Sequence, residues 1–273
     1  TTTEDISMAG SLVVTNDAAA NLIADDITAK ALTLNAKSDG SATLELADTK
    51  TLTTTAGALT ITAKEFLNTS NAAAIVSVTG GNLVIDADAA AGNVSVTSAS
   101  ALSLGTLKGA DADILAITTT GAANLALGAS ISTNDITLNL TSVGTIIGAD
   151  TSISVGSLAI DSVGVFNIGA AGDITTDGDG ASTGHVSIKA AGVTARDIVT
   201  TAQTAGVDLS GNVVMTATGL ANGTFMSGAV SVRAITTTGS AGATNAPGAA
   251  AGDIVIKADS LAATGAIVST GGA

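Results

Sequence analysis

The chain has 273 residues, of which 46% are hydrophobic, and its formal net charge of −14 corresponds to a pI near 4.1. Aromatic residues amount to 1% and nine residues are Lys or Arg, which excludes the basic patch and the stacking side chains of a nucleic-acid-binding protein. The absence of cysteine excludes disulfides and thiolate metal sites, and no apolar run reaches the roughly 18 residues of a transmembrane helix. The chain opens on Thr1 rather than Met, which indicates a processed product or a fragment.

Short segments of alternating apolar and polar residues begin near the amino terminus and recur along the chain. A period of two places the apolar side chains on one face of an extended chain, so each segment predicts a strand. In the first part of the chain these segments are 12–15, 26–29, 31–36, 42–47, 57–63 and 81–87. Through the middle they are 92–97, 124–128, 135–140, 152–156 and 165–169.

The carboxyl-terminal part repeats more regularly. Four segments that each begin with glycine lie at 184–190, 211–217, 228–234 and 252–258. In the last of them Ile254 and Ile256 point to one side, whereas Val255 and Lys257 point to the other. A second signature, Ala-Ile-Thr-Thr-Thr-Gly at 116–121, recurs unchanged at 234–239, with looser copies at 52–57, 173–178 and 267–271.

One such unit cannot bury its apolar face alone, but stacked copies of it can. A narrow stack is filled by aliphatic side chains, which fits a chain with no Trp or Tyr, and the 32 glycines suit its tight corners. We therefore predict an all-β fold in which residues 1–273 form a single elongated β-solenoid. The repeats are least regular over 1–56 and most regular over 170–273.

The clearest repeat also resembles a known family. The run GDIVIKADSL at 252–261, followed by GAIVST at 265–270, resembles the repeats of filamentous-haemagglutinin-like, two-partner-secreted bacterial exoproteins. The resemblance covers roughly residues 170–273 and implies a right-handed parallel β-helix that acts at the cell surface as an adhesin or stalk. No segment matches the amino-terminal secretion domain of that family, so its export route is not carried over.

Catalysis has few candidate residues in this sequence. His185 is the sole histidine, and its outward position beside Val186 predicts a surface residue rather than a catalytic base. Enzymes that use β-helices gather carboxylates, basic residues and aromatic platforms in one groove, and this chain has only three Phe and scattered basic residues. We therefore expect no enzymatic activity.

A metal site is the one candidate for bound chemistry. Asp173, Asp177 and Asp179 lie close together in the segment Gly-Asp-Ile-Thr-Thr-Asp-Gly-Asp-Gly, and such oxygen ligands on a glycine-rich turn suit Ca²⁺. The segment matches neither the EF-hand loop nor the calcium-binding nonapeptide repeat, and a solvated turn is the alternative interpretation. No other cofactor is expected.

Two further patterns concern the outer surface. Lys189, Arg233 and Lys257 occupy equivalent positions in three similar segments, which predicts either a column of cations or an ordinary solvated face. Glycosylation sequons begin at Asn68, Asn93, Asn139 and Asn222. The segments at 92–97 and 135–140 place Asn93 and Asn139 outward, where a glycan would fit.

The architecture predicts an extracellular structural protein. Neither end shows a polar or helical cap, and an uncapped solenoid edge recruits other strands, so we expect copies to stack head to tail into a fibre, stalk or matrix filament. The alternative is an adhesin that binds a glycan or a host-surface protein through its flank or through insertions such as 239–252. A surface-layer lattice protein is a second alternative that fits the acidic, Thr-rich composition.

Overall fold

The structure of the protein is a computed structural model, and it describes the following parts of the chain. They are residues 3–17, 22–36, 42–46, 50–56, 58–63, 65–67, 75–78, 83–87, 93–98, 101–109, 114–120, 123–128, 130–178, 184–202, 211–221, 224–225, 228–241 and 248–272.

The described residues fold into short strands joined by tight corners. In chain order the strands are β1 (Ile6–Ser7), β2 (Leu12–Asn16), β3 (Leu22–Ala24), β4 (Ile27–Ala29), β5 (Leu32–Ala36), β6 (Thr43–Leu46), β7 (Thr51–Thr54), β8 (Leu59–Thr62), β9 (Glu65–Leu67), β10 (Ile75–Val78), β11 (Leu83–Ala87), β12 (Asn93–Ser98), β13 (Leu102–Gly109), β14 (Ile114–Thr119), β15 (Leu125–Leu127), β16 (Ile131–Ser142), β17 (Ile146–Gly148), β18 (Ile153–Ser162), β19 (Phe166–Asn167), β20 (Ile174–Gly178), β21 (Val186–Ala190), β22 (Val193–Thr194), β23 (Asp197–Ala202), β24 (Val213–Ala217), β25 (Leu220–Ala221), β26 (Thr224–Phe225), β27 (Ala229–Val232), β28 (Ala234–Thr238), β29 (Ile254–Lys257), β30 (Ser260–Ala263) and β31 (Ile267–Thr270).

The strands stack in parallel into a solenoid. One sheet has 11 strands in the order β2-β5-β8-β11-β13-β15-β17-β19-β22-β27-β30, and a 14-stranded sheet contains β3, β6, β9, β12, β14, β16, β18, β20, β21, β23, β24, β28, β29 and β31. A 4-stranded sheet, β1-β4-β7-β10, lies at the amino-terminal end. Within the described chain all pairings are parallel except that of β25 with β26. The predicted all-β parallel solenoid is confirmed.

The large sheet divides at β18, which is long enough to turn a corner. Ile153–Val155 pairs with β20, and Leu158–Asp161 pairs with β21. From this point the sheet continues as two branches, β20-β23-β28-β31 and β21-β24-β29. Together with the 11-stranded sheet, the two branches form the walls of the carboxyl-terminal coils.

The core consists of aliphatic side chains stacked from coil to coil. Leu32, Leu59 and Leu83 are register partners in successive strands, and each is almost fully buried. Burying a side chain of this size contributes roughly 1.5–3 kcal/mol, so each added coil stabilises the one below it. At one strand spacing per coil, the 11-stranded sheet is on the order of 48 Å long.

The expected alignment of Lys189, Arg233 and Lys257 is wrong for Arg233. Lys189 and Lys257 belong to β21 and β29, which sit in the same branch of the large sheet with β24 between them. The segment ending at Arg233 forms β27 instead, and β27 pairs with β22 and β30 in the 11-stranded sheet. Similar sequence patterns therefore occupy different walls of the solenoid.

Buried threonines connect the two sequence signatures. Strands β20, β23 and β28 each carry, in register, an inward-facing threonine whose hydroxyl donates to the carbonyl oxygen of the glycine that opens the next segment. The pairs are Thr176 to Gly184 at 2.6 Å, Thr200 to Gly211 at 2.8 Å and Thr237 to Gly252 at 2.7 Å. Each hydrogen bond closes the base of an insertion at the same corner, and the partners lie 8, 11 and 15 residues apart.

The glycines of these pairs are required by close backbone contact. Gly184 has φ +66°, which favours glycine, and a Cβ on Gly211 would lie 2.0 Å from the carbonyl carbon of Gly184 in the coil below. The glycine at the start of each segment thus permits neighbouring coils to approach to one strand spacing.

Replacing Thr200 by Val tests this closure. The substitution keeps the side-chain shape but leaves the buried carbonyl of Gly211 without its hydroxyl donor, so the free energy of unfolding should fall by about 1–3 kcal/mol. Urea unfolding followed by circular dichroism measures the change. The matched control is Thr236→Val, which lies on the outer side of β28 and should change stability little. Equal effects of the two substitutions would contradict the proposed closure.

Candidate functional site

The carboxyl-terminal end of the solenoid is an open edge. Strands β29, β30 and β31 pair with β24, β27 and β28, and no described strand covers their other side. Leu261 is 45% and Ile267 40% exposed, whereas their register partners one coil earlier, Val230 and Ile235, are 0% exposed. These inward-facing positions would become buried if another coil were added.

The amino-terminal end is open at β1 and β2, whereas β3 is partly covered, because the backbone N–H of Thr3 donates to the carbonyl of Ile23 and Leu22 is only 1% exposed. Strands β1, β2 and β3 pair only with β4, β5 and β6 among the described strands. Leu12 and Val14 are half-buried, although their partners Leu32 and Leu34 are fully buried. Met8 is 39% exposed at this edge.

Corner side chains form a hydrogen-bonded column that points toward the carboxyl-terminal end. The His185 Nδ1 atom accepts the backbone N–H of Asn212 at 2.9 Å, and the Asn212 Oδ1 atom accepts the backbone N–H of Asp253 at 2.8 Å. Each of these residues immediately precedes a strand, so each side chain binds the coil that follows it. Asp253 is the last described member of this column and immediately precedes β29, so its carboxylate lies at the open edge. His185 thus serves as a structural acceptor.

A second corner carries ion pairs between coils. Nε of Arg196 donates to Asp173 at 2.7 Å, and Nε of Arg233 donates to Asp197 at 2.8 Å, with Nη2 contacting the second carboxylate oxygen in each pair. In both cases the arginine binds an aspartate of the preceding coil. The hydrogen bond from Arg233 holds the pKa of Asp197 below its usual range.

A related arrangement occurs in the first coils. Asp5, Asp25 and Asp26 bring carboxylate oxygens within 4.8 Å of one another, and the Lys50 ammonium lies 2.6 Å from Asp25 and 3.4 Å from the other two. The hydrogen bond from Lys50 lowers the pKa of Asp25, and the same contact raises the pKa of Lys50. A cation of the chain itself therefore offsets part of the negative charge of this acidic cluster.

Sequence reasoning missed both ion-pair corners, although a signal was present. The residue pairs Glu4-Asp5, Asp25-Asp26 and Lys50-Thr51 stand immediately before the aligned strands β1, β4 and β7. Gly172-Asp173, Arg196-Asp197 and Arg233-Ala234 stand just before or at the start of β20, β23 and β28. Charged residues at the start of successive strands indicate ion pairs between coils. This pattern can be recognised only when the strands are aligned in register.

The predicted calcium ligands are distributed as follows. Asp173 is engaged by Arg196, and Asp177 lies four residues further along the same strand, on the same half-buried outer side. Four residues of extended chain span about 13 Å, so these two carboxylates are too far apart to share an ion in this conformation. Asp179 lies outside the described residues. The calcium site stays a prediction that these two positions do not support.

The predicted glycosylation sites are only partly described. Asn139 is half-buried and faces outward between the buried Leu138 and Leu140. Asn93 begins β12, and Asn68 and Asn222 lie outside the described residues. Attachment of a glycan stays a prediction.

Comparison with known proteins adds no identity to this geometry. The chain matches no family model, no curated protein and no solved structure. The resemblance to filamentous-haemagglutinin-like repeats therefore stays a prediction. No helix in the described parts of the chain is long and apolar enough to cross a membrane.

Replacing Lys50 by Met should destabilise the first coils. The three carboxylates would lose their counterion and repel each other, so the melting temperature should fall, and added NaCl should recover part of the loss by screening. Differential scanning calorimetry at low and high salt measures both effects. Lys30→Met is the matched control, because the Lys30 side chain makes no ion pair with any residue that the structure describes. A salt-independent loss equal in both variants would contradict the assignment.

Acid should weaken the ion-pair corner of Asp197. A carboxyl group with a lowered pKa contributes stability above its unfolded pKa of about 3.9 and loses that contribution as pH falls through the folded value. The urea midpoint of the wild-type protein should therefore drop more steeply below about pH 4 than that of Asp197→Asn. Arg233→Gln, which removes the cause of the shift, should resemble Asp197→Asn, and a wild-type-like slope in both variants would refute this assignment.

Proposed function

We propose that the chain is an extracellular structural subunit that stacks end to end into a fibre, stalk or matrix filament. The observation that carries this proposal is the match between the two open edges of the solenoid. Three parallel strands at the carboxyl-terminal edge and two at the amino-terminal edge have an unpaired side and inward-facing side chains that another coil would bury. The predicted lack of enzymatic activity is part of the same proposal.

The two edges correspond strand by strand. Going along the chain, β29, β30 and β31 follow one another around the last coil as β1, β2 and β3 do around the first. The inward-facing residues of the last coil include Ile254, Leu261 and Ile267, and those of the first coil include Ile6 and Leu12. A second copy placed on the carboxyl-terminal edge would bury these apolar positions of both edges.

Such a contact propagates because its two surfaces differ. A heterologous contact leaves the same free edges on the product as on the subunit, so a line of copies has no closed end point. The contact also brings together copies that each carry a net charge of −14. Repulsion between them should slow assembly at low ionic strength and should be reduced by salt.

The substitution Ile267→Asp tests this proposal. Ile267 faces inward at the free edge, so a carboxylate there would be buried at the joint and should block stacking while the monomer stays folded. Val268 on the same strand is exposed to the same extent, 39% against 40%, but faces outward, so Val268→Asp is the matched control.

Analytical ultracentrifugation and negative-stain electron microscopy over a concentration series measure the assembly. Wild type and Val268→Asp should form linear particles at high concentration and moderate salt, whereas Ile267→Asp should stay monomeric. Separate short monomers of wild-type protein at high concentration would contradict the proposal, as would filaments of Ile267→Asp.

An adhesin is the second candidate function, and one feature favours it. The described residues that flank the segments 179–183, 203–210 and 242–247 lie at the same corner of successive coils, because Thr176, Thr200 and Thr237 are register partners. In an adhesin, these three segments would be the contact points for a ligand such as a glycan or a host-surface protein. Shortening the segment between Ala241 and Gly248 separates the candidates, since a filament subunit would still assemble and an adhesin would lose binding.

A further inference from the structure

We propose that the flank of the solenoid carries an oxyanion-binding cleft, built by Arg196 and Arg233, for the carboxylate or sulfate of an acidic glycan. The cleft has a volume of about 200 Å³ and lies across successive coils rather than at an open edge. Arg196 and Arg233 both line it, whereas Asp173 and Asp197 do not. The proposal is independent of end-to-end stacking.

The two arginines come from adjacent coils, and their Cα atoms are aligned by the strand register. Asp197 and Ala234 are register partners in β23 and β28, so the residues immediately before them, Arg196 and Arg233, lie one strand spacing apart, about 4.8 Å. The Asp197 carboxylate accepts a hydrogen bond from Arg233 and lies 4.0 Å from Nε of Arg196, so it offsets part of the repulsion between the two cations, and an anion in the cleft would offset more of it. An acidic ligand therefore gains from both arginines at once.

The aspartate contacts leave donors available for such a ligand. An arginine has five N–H donors, and in each pair Nε and one Nη2 hydrogen face the aspartate. The Nη1 group makes no hydrogen bond to the described part of the chain in either arginine. A guanidinium can bind one carboxylate through Nε and Nη2 and another through Nη1 and Nη2. The aspartates therefore hold both guanidinium groups in position and leave Nη1 available for a ligand.

Hydroxyl groups and a small apolar floor complete the cleft. Thr194 and Ser231 are register partners in β22 and β27, so their hydroxyls are also stacked, and Thr264 of the last coil lines the same cleft. The buried side chains of Ala195 and Val232 lie beneath them. Hydroxyl donors beside paired guanidiniums suit a carboxylate or sulfate, and the absence of an aromatic residue from the lining does not favour stacking of an uncharged sugar ring.

The charges at this site predict a modest, short-range interaction. Two arginines and two aspartates sum to zero, and the whole chain carries −14, so no long-range field draws anions to the cleft. Recognition should therefore depend on the hydrogen bonds of the arginines and hydroxyls, and it should require an oxyanion rather than negative charge alone.

The test is an NMR titration of the full chain, observing the arginine side-chain resonances at constant ionic strength. Sodium glucuronate and sodium sulfate should give saturable shifts for Arg196 and Arg233, whereas chloride and neutral glucose should give none. A polymer of glucuronate that binds more tightly per site than the monosaccharide would identify a polysaccharide as the source of the group, and equal affinity would identify a free small anion.

Variants decide whether the cleft itself binds. Arg233→Gln should abolish saturable binding, and the double variant Thr194→Val with Ser231→Ala, which keeps both arginines, should weaken it about tenfold. Lys189→Gln is the matched control, because Lys189 is an exposed cation paired with Asp161 on another wall. Shifts that do not saturate, or equal affinity in wild type and the double variant, would overturn the proposal.

Discussion

The structure depends on one constraint, which is that each strand is completed by the strands one coil above and below it. Parallel pairing satisfies the backbone, and it places side chains of like character directly over one another, as with Leu32, Leu59 and Leu83. The interior is therefore a set of aliphatic columns that needs almost no aromatic side chains. The same constraint makes the two ends of the array unlike any point inside it, because there the strand edge and the inward-facing residues lose a neighbour.

Polar side chains at the corners also connect neighbouring coils, through hydrogen bonds and ion pairs. His185 and Asn212 accept backbone N–H groups from the next coil, and Arg196, Arg233 and Lys50 bind aspartates of a preceding coil. These residues are distant in sequence but adjacent along the axis of the solenoid. The acidic composition is thus organised in part by a few cations placed where strands begin, and two of those cations also face the flank cleft.

The period-two pattern was enough to predict the fold class and many of the strands, because inward and outward positions differ strongly in polarity, but strands such as β3, β17 and β23 lie outside the predicted segments. It could not assign strands to walls. The segments ending at Lys189 and Arg233 look alike, yet β21 and β27 lie in different sheets, since the number of residues in the intervening corners decides which wall a segment joins. Lys50 and its partners were missed for a related reason: Asp5 lies 45 residues away, and no local pattern links the two. Asp173 and Asp177 show the opposite case. They are close in sequence, but the extended chain between them keeps their carboxylates apart.

The buried threonines have a consequence for how such a chain changes over time. Thr176, Thr200 and Thr237 close loops of unequal length while their own strands keep the same register. Residues inserted between the threonine and its glycine partner do not change the packing of the core. Evolution, or a protein engineer, can therefore exchange these segments as cassettes and display new sequences at regular intervals along a scaffold that does not have to be redesigned.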